Sequence, residues 1–386
     1  MSTNRSLIFS RHLDSAPFKD FNVEVEMIHK GLQHTDLWLN REKYLPIQPY
    51  EKQELITDGS IIKGNYAVFS SDNEQVYLRN NSRISEIKTL KGDFELHRND
   101  LVSITYDTET DTLVHIEKLT KKDVTPQDIL PTSTDIVRFR DELVYYISLT
   151  DEDYQTVMMD ILTKVWKYYK EVPGSQVGHH VYLGGLLEHV VEDIRIAKTI
   201  LELPDYKQSK LLGDIYKLSA SVHWGELEQR RKGTKIKTAL HYMVNDFYQV
   251  ADAYLTKEGS ISFNDVVLTY VVHDLGKVVE TSYLGALDDR YEILNMGSVT
   301  NKEQENEVFF GVDTVGGSFG HSLLSILMLN SLENKPELDY VYINRLVATH
   351  HFKAAFGSIK QAETKSEYFI HMCDKIGALF CAEQYY

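Results

Sequence analysis

The sequence predicts an α+β protein of more than one domain, with a β-rich portion over residues 1–125 and an all-α portion over residues 126–386. Three observations carry this. Short alternating segments separated by turn clusters dominate the first portion. Pro126 and Pro131 break strand and helix alike within Val124 to Pro131, and beyond Thr134 the apolar residues recur at helical spacing. The chain's 386 residues also exceed the roughly 250–300 at which a single hydrophobic core stops growing, so a boundary is expected, and it is placed at that proline pair.

In the first portion Val102, Ile104 and Tyr106 alternate with polar residues, Asp107 to Asp111 reads as a turn, and alternation resumes from Leu113 to Leu119. That is a hairpin pattern. A second pair, Tyr66 to Phe69 and Gln75 to Leu78, brackets a turn-like Ser70 to Asn73. Several short strands over such a span suggest a small barrel or sandwich, while the first 50 residues carry no legible pattern. In the second portion Leu143, Tyr146 and Ile147 lie at helical spacing. Thr150 with Asp153 reads as a capping box opening a helix that carries Val157, Met158, Ile161, Leu162 and Val165.

A 42% hydrophobic share is too high for a disordered chain, and 8 Pro and 21 Gly are too few for a low-complexity or collagenous one. Cys373 and Cys381 cannot form a disulfide framework in a chain this long, so a reducing compartment is expected. Met1 to Arg11 lacks the apolar core of a signal peptide, and apolar stretches such as Val266 to Val272 fall short of the ~18–20 residues that span a bilayer. A soluble cytoplasmic protein with no membrane partner is expected. The net charge of −16 argues against unfocused binding to nucleic acid. One exception is the basic cluster Arg230, Arg231, Lys232, Lys235 and Lys237, which reads either as a solvated face or as a phosphate-contacting patch near a site.

The chemistry-bearing residues all fall in the second portion. His189 lies in a helical stretch whose apolar face is Leu183, Leu186, Leu187, Val190 and Ile194. Val271 to Lys277, with His273 and Asp274, ends an apolar helix, and His321 opens another. His350 and His351 end the helix that runs from Val341, and His371 to Asp374 lies on the last. A lone histidine beside an apolar face is usually a satisfied core residue. Histidine and aspartate recurring on successive helices point instead to a metal, because imidazole and carboxylate are ligands that Mn²⁺, Fe and Zn²⁺ accept and helices converge in a bundle core. His273 suits one ion while the Asp274 carboxylate bridges to a second ~3.5–4 Å away. His179 and His180 read as substrate contacts or as helix-start residues, and Cys373 as a buried structural thiol.

The order His189, His273-Asp274, His321, His350-His351, Asp374 resembles the HD superfamily of metal-dependent phosphohydrolases in its two-metal form. The YhaM-type 3′–5′ exoribonuclease family is similar over His179 to His189, His273 to Glu280, Gly320-His321, Thr349 to His351 and Asp374. That family places an OB-fold before the HD domain, and Arg98 to Tyr106 with Ile116 to Leu119 looks like the last OB hairpin. The resemblance implies an OB-like nucleic-acid-binding domain and a helical HD domain. In it His189, His273, Asp274 and Asp374 hold one divalent ion, and His321, His350 or His351, and the bridging Asp274 hold a second. Mn²⁺ is favoured from the mixed His/Asp set, with Fe, Zn²⁺, Ni²⁺ and Mg²⁺ as alternatives. Asp274 and Lys277 become catalytic candidates, with the lysine set to meet phosphate charge. His179, His180, Arg230, Arg231 and Lys232 become substrate-binding candidates.

The implied activity is 3′–5′ exonucleolytic hydrolysis of single-stranded nucleic acid, RNA favoured over DNA, by two-metal chemistry. A homo-oligomer is compatible with it. The stretches near 203–262 and 281–319 are longer than the family's connections and read as insertions. Two other readings stay open, an HD hydrolase of a cyclic dinucleotide or nucleoside triphosphate, which the acidic balance favours, and a non-catalytic binding module.

Overall fold

A computed structural model of the chain describes residues 35–47, 56–71, 75–79, 88–91, 95–97, 100–110, 112–120, 122–130, 132, 135–175, 179–231, 240–283, 310–312, 314–333, 335–352 and 358–380. The protein is α+β, with its main sheet in the N-terminal part and helices, interrupted by one short strand pair, through the rest. Strands β1 (Ile56–Asp58), β2 (Ile61–Ser71), β3 (Gln75–Arg79), β4 (Lys88–Lys91), β5 (Leu101–Asp107) and β6 (Thr112–Leu119) form one sheet. Its order is β4-β3-β2-β5-β6, with β1 beside β2 and every pairing antiparallel. The two expected hairpins are β2–β3 and β5–β6. In the second, the Asp107 carboxylate accepts from Glu109 N and Thr110 Oγ1 and closes the turn.

Alternation gives the sheet two unlike faces. Tyr66, Val68, Leu78, Val102, Ile104 and Tyr106 enclose a core with Leu96. By sequence, Tyr66, Phe69, Tyr77 and Tyr106 read either as platforms on which bases stack or, for half of them by alternation, as barrel core; Tyr66 and Tyr106 belong to the core, and the Phe69 and Tyr77 side chains lie outside the described ones. Ala67 and Leu101 face the other way and pack with Val124, Ile129, Leu130, Val181, Tyr182 and Leu183. The sheet is thus attached to the helical part just where the chain enters the helix Gly185–Glu202.

The helices are α1 (Ile136–Ser148), α2 (Glu152–Tyr169), α3 (Gly185–Glu202), α4 (Asp205–Arg231), α5 (Leu240–Thr256) and α6 (Phe263–His273). After them come α7 (Lys277–Glu280), α8 (His321–Asn330), α9 (Tyr340–Thr349) and α10 (Lys365–Phe380). The start of α2 differs from the expected capping box. Asp151 is its N-cap, and the Thr150 hydroxyl instead donates to Ile147 O at 2.7 Å, because it reaches the open carbonyls of the preceding helix first. Among the described residues, no helix is long and apolar enough to cross a membrane.

Helix α3 is central, packing on α1, α6 and α10 through Leu186, Leu187, Val190, Val191 and Ile194. Trp38 and Leu45 join the same core, so part of the N-terminal portion folds with the helices. The stretch 203–262 is no loose appendage, since α5 lies along α10 and gives Phe247, Val250 and Tyr254 to the core. Arg230 and Arg231 end α4, while Lys232, Lys235 and Lys237 lie outside the described residues. Of 281–319, the ends pair as β7 (Thr281–Tyr283) and β8 (Phe310–Val312), followed by a turn of helix at Thr314–Phe319.

One buried ion pair locks α3 to α1. Arg195 places Nε 2.7 Å from Glu142 Oε1 and a terminal nitrogen 2.6 Å from Oε2, and Tyr146 donates to the same carboxylate at 2.8 Å. Glu142→Ala leaves this guanidinium buried without its partner. The expected cost is about 3–5 kcal/mol, read as a lower urea midpoint at unchanged slope. A midpoint within error of the parent contradicts this.

Candidate metal centre

Three helix ends, of α6, α8 and α9, and the interiors of α3 and α10 deliver the centre. Helix α6 starts at the Ser262 cap and finishes at His273, with Asp274 as its C-cap. His273 Nδ1 donates back to Tyr270 O at 2.8 Å, and His350, the C-cap of α9, does the same to Val347 O at 2.6 Å. A carbonyl left open in the last helical turn thus takes the Nδ1 proton, and each Nε2 keeps its lone pair for the site. His321, the first residue of α8, is held through Nδ1 by Glu280 Oε2 at 2.8 Å. His371 on α10 donates from Nδ1 to His350 O.

The turn after Asp274 brings α8 close. A Cβ at Gly276 would lie 2.1 Å from His321 O, so only glycine admits this approach. Gly276 N donates to Ser325 Oγ at 2.7 Å, and that hydroxyl donates to His273 O at 3.1 Å. His321 is thereby set beside Asp274.

The carboxylate of Asp274 faces two ways. Its Oδ2 is 3.6 Å from His189 Nε2 and 3.4 Å from His273 Nε2. His189 Nε2 is also 3.5 Å from Asp193 Oδ2 and 3.2 Å from Asp374 Oδ1. Its Oδ1 is 3.4 Å from His321 Nε2 and 3.6 Å from His350 Nε2, and His321 Nε2 lies 2.8 Å from His351 Nε2. One nest is therefore His189, Asp193, His273 and Asp374; the other is Asp274, His321, His350 and His351, with ligand atoms within 4.8 Å of one another in each. Both His350 and His351 belong to the second nest.

Nearly all of this is buried. Burial works to raise the Asp274 carboxyl, but the Lys277 ammonium and His273 outweigh it and hold Asp274 well below the usual range. Burial likewise opposes ionisation of Asp374, which the hydrogen bond from His189 holds well down. Asp193 goes the other way, pushed well up by burial and by Asp374 beside it. Burial lowers His273 to about 3 and His371 to about 4. Lys277 is turned inward, its Nζ on Asp274 Oδ2 and on Gly174 O.

The polar atoms fit a cation. Both Asp193 oxygens, His273 Nε2, Asp274 Oδ1 and His350 Nε2 are buried with no hydrogen-bond partner. Unpaired buried polar atoms each cost on the order of 1–3 kcal/mol, and here they gather in the two nests. Donors bound at about 2.0–2.2 Å to a shared ion stand about 3–3.5 Å apart, close to the separations above. The buried His/Asp clusters could hold a metal ion.

All seven ligands expected from the sequence converge here. Asp193 is an addition, legible as the residue one helical turn from His189 and so on the same face. His371, singled out in the sequence with Asp374, and Glu280, within the His273 to Glu280 stretch, orient neighbouring histidines, and Glu192 carries no sequence pattern of its own. His179 and His180 lie against His189 with ring centroids 5.0 and 5.1 Å away. Cys373 is buried with a free thiol. Comparison of the chain with protein-family models, curated proteins and solved structures finds no match.

The buried imidazoles set a pH dependence. In the unfolded chain His273 and His371 take a proton near 6.5, and in the fold only at about 3 and about 4. Between those values the unfolded chain binds more protons, so their contribution to stability is full above pH 6.5 and declines as the pH falls through this window. Thermal midpoints of chelator-treated protein are expected to fall from pH 7 to pH 4. His371→Asn should flatten part of that slope.

Proposed function

We propose that the chain is a metal-dependent phosphodiesterase of the HD type, most closely a 3′–5′ exonuclease of single-stranded RNA. One observation carries the reading, the Asp274 carboxylate with one oxygen toward each of two nests of buried imidazole. His189, His273, Asp374 and the added Asp193 would hold one divalent ion, and His321, His350 and His351 a second, with Asp274 shared; Mn²⁺ suits this mixed set. When bound, such a pair supplies an activated water and charge neutralisation for a phosphodiester.

The chain's own groups prepare that chemistry. Tyr270 O, Val347 O and Glu280 fix the tautomers of His273, His350 and His321, so that Nε2 of each points inward as a lone pair. Lys277 neutralises the Asp274 Oδ2 edge, and becomes available to phosphate charge once that oxygen engages a cation. The apolar shell of Val266 to Val272 and Leu275 excludes water behind the ligands.

The strand order supports an OB-like reading of the sheet. In an OB barrel the two outer strands of such an order close on one another; here the outer strands are β4 and β6, which are not paired among the described residues. Such a domain guides a single strand toward the metals. The net charge of −16 favours a small nucleotide instead, and one assay separates the two.

Chelator-stripped protein refilled with Mn²⁺ is expected to release mononucleotides stepwise from the 3′ end of a 5′-labelled oligoribonucleotide. Asp274→Ala should reduce that rate by more than about 100-fold, beyond what disturbing a ligand's outer partner costs. Equal degradation with and without Mn²⁺ would sink the proposal. Turnover of cyclic dinucleotide or nucleoside triphosphate with the oligonucleotide left intact would transfer it to the small-nucleotide reading.

A further inference from the structure

Helix α9 ends in two ligands that follow one another, and consecutive side chains on a helix diverge by about 100°. The rings of His350 and His351 nevertheless stand 3.9 Å apart by their centroids, inclined at 42°, and both reach the second nest. Their delivery to one place rests on the backbone that carries them out of the helix. Phe352, the next residue, takes a left-handed backbone at φ 67, which is rare for a bulky side chain and persists only where its surroundings enforce it. Its amide donates to Thr349 O at 2.8 Å, and its carbonyl accepts from Ala362 N at 3.3 Å. Behind the turn, Ile359 N and Ser358 Oγ close on Ala348 O at 2.9 and 3.1 Å.

Helix α10 supplies the contact that holds this turn. The buried Phe352 ring stacks on the His371 ring, with centroids 5.4 Å apart and planes at 26°. The same His371 ring donates from Nδ1 to His350 O. A carbonyl only accepts, so Nδ1 carries a hydrogen whether the ring is neutral or charged, and the contact does not depend on its ionisation. His371 thus grips the turn at two points, the carbonyl of one ligand and the residue after the other. Among the described residues its Nε2 is buried with no hydrogen-bond partner, so packing alone would favour an apolar side chain at this place. One helical turn further along α10, Asp374 belongs to the first nest, and the two residues therefore bear on different nests.

We infer that His371 and Phe352 are positioning residues for the second nest, a clamp that holds the turn so that His350 and His351 face one divalent cation together. The inference rests on the metal-centre reading, and it makes the affinity for the second ion depend on side chains that do not touch it. It also accounts for a left-handed phenylalanine at the end of α9 and for a buried histidine with one nitrogen unpaired.

Co²⁺ binding to the chelator-stripped full-length chain, followed by visible absorption and equilibrium titration, tests it without recourse to activity. The parent should show two classes of bound Co²⁺, and His351→Ala identifies the one that the second nest holds. His371→Leu, which fills the space but donates nothing, is expected to weaken that class by about 10–100-fold and to leave the other as in the parent. His371→Asn, whose amide can donate in place of Nδ1, should recover part of the loss. Phe352→Leu keeps an apolar side chain without the stacked ring and gives a second route to the same selective weakening. Parent-like affinities in the folded leucine variants, equal weakening of both classes, or a loss that asparagine does nothing to relieve overturn the inference and leave the metal centre standing. A parent chain that takes up fewer than two Co²⁺ overturns the two-nest reading itself.

Discussion

The fold is organised around the burial of three carboxylates in one dry volume. Asp193, Asp274 and Asp374 all approach His189 within 3.6 Å, and in the interior their mutual repulsion and lost hydration are expensive. The Lys277 ammonium and the hydrogen bond from His189 offset that cost at Asp274 and Asp374, and the raised Asp193 carboxyl relieves it by holding a proton. The helices supply the means of confinement. Each contributes polar atoms at one end or one point of an otherwise apolar surface, as α6 does by placing His273 after an unbroken buried run from Val266 to Val272.

This confinement explains the role of the small contacts around the site. Gly276 lets α8 meet the turn after Asp274, and Ser325 ties that turn to both helices. The open carbonyls of Tyr270 and Val347, ordinarily a weakness of helix ends, become the groups that orient His273 and His350. The sheet is joined to the same region. Ala67 and Leu101 pack on Val181, Tyr182 and Leu183, the residues that follow the His179–His180 pair and lead into α3. The sheet therefore stands one layer of side chains from the centre.

Much of this could be read before any coordinates. The helical periods, the hairpin between β5 and β6, and the seven candidate ligands are legible locally, the last because histidine and aspartate recur on successive apolar helices, some at helix ends and some, as His189 and Asp374, within them. What escaped depends on which surface covers which. Alternation places Tyr66 and Tyr106 on one face of the sheet but does not say that this face is the enclosed one. Asp193 shares a helical face with His189, yet a carboxylate at that spacing is as common on solvated helices. Glu280, Glu192 and His371 act on residues 41, 12 and 21 positions away, and their meaning exists only once the chain is folded. Thr150 suits a capping role for α2 by sequence, but its hydroxyl bonds Ile147 O and Asp151 takes the N-cap position.

The spread of the shared carboxylate's neighbours along the chain sets an order of events. His189, His273, His321, His350 and Asp374 come from five separate segments, so no piece of the helical part holds a working subset. Their contacts are non-local and must wait for long loops to close, which makes the centre a late product of folding and slow relative to the local hairpins. The same dependence runs backwards in the native protein. A transient opening of α3, α6, α8, α9 or α10 disperses the polar cluster at once, so the most buried chemistry in the molecule is only as persistent as its least stable helix.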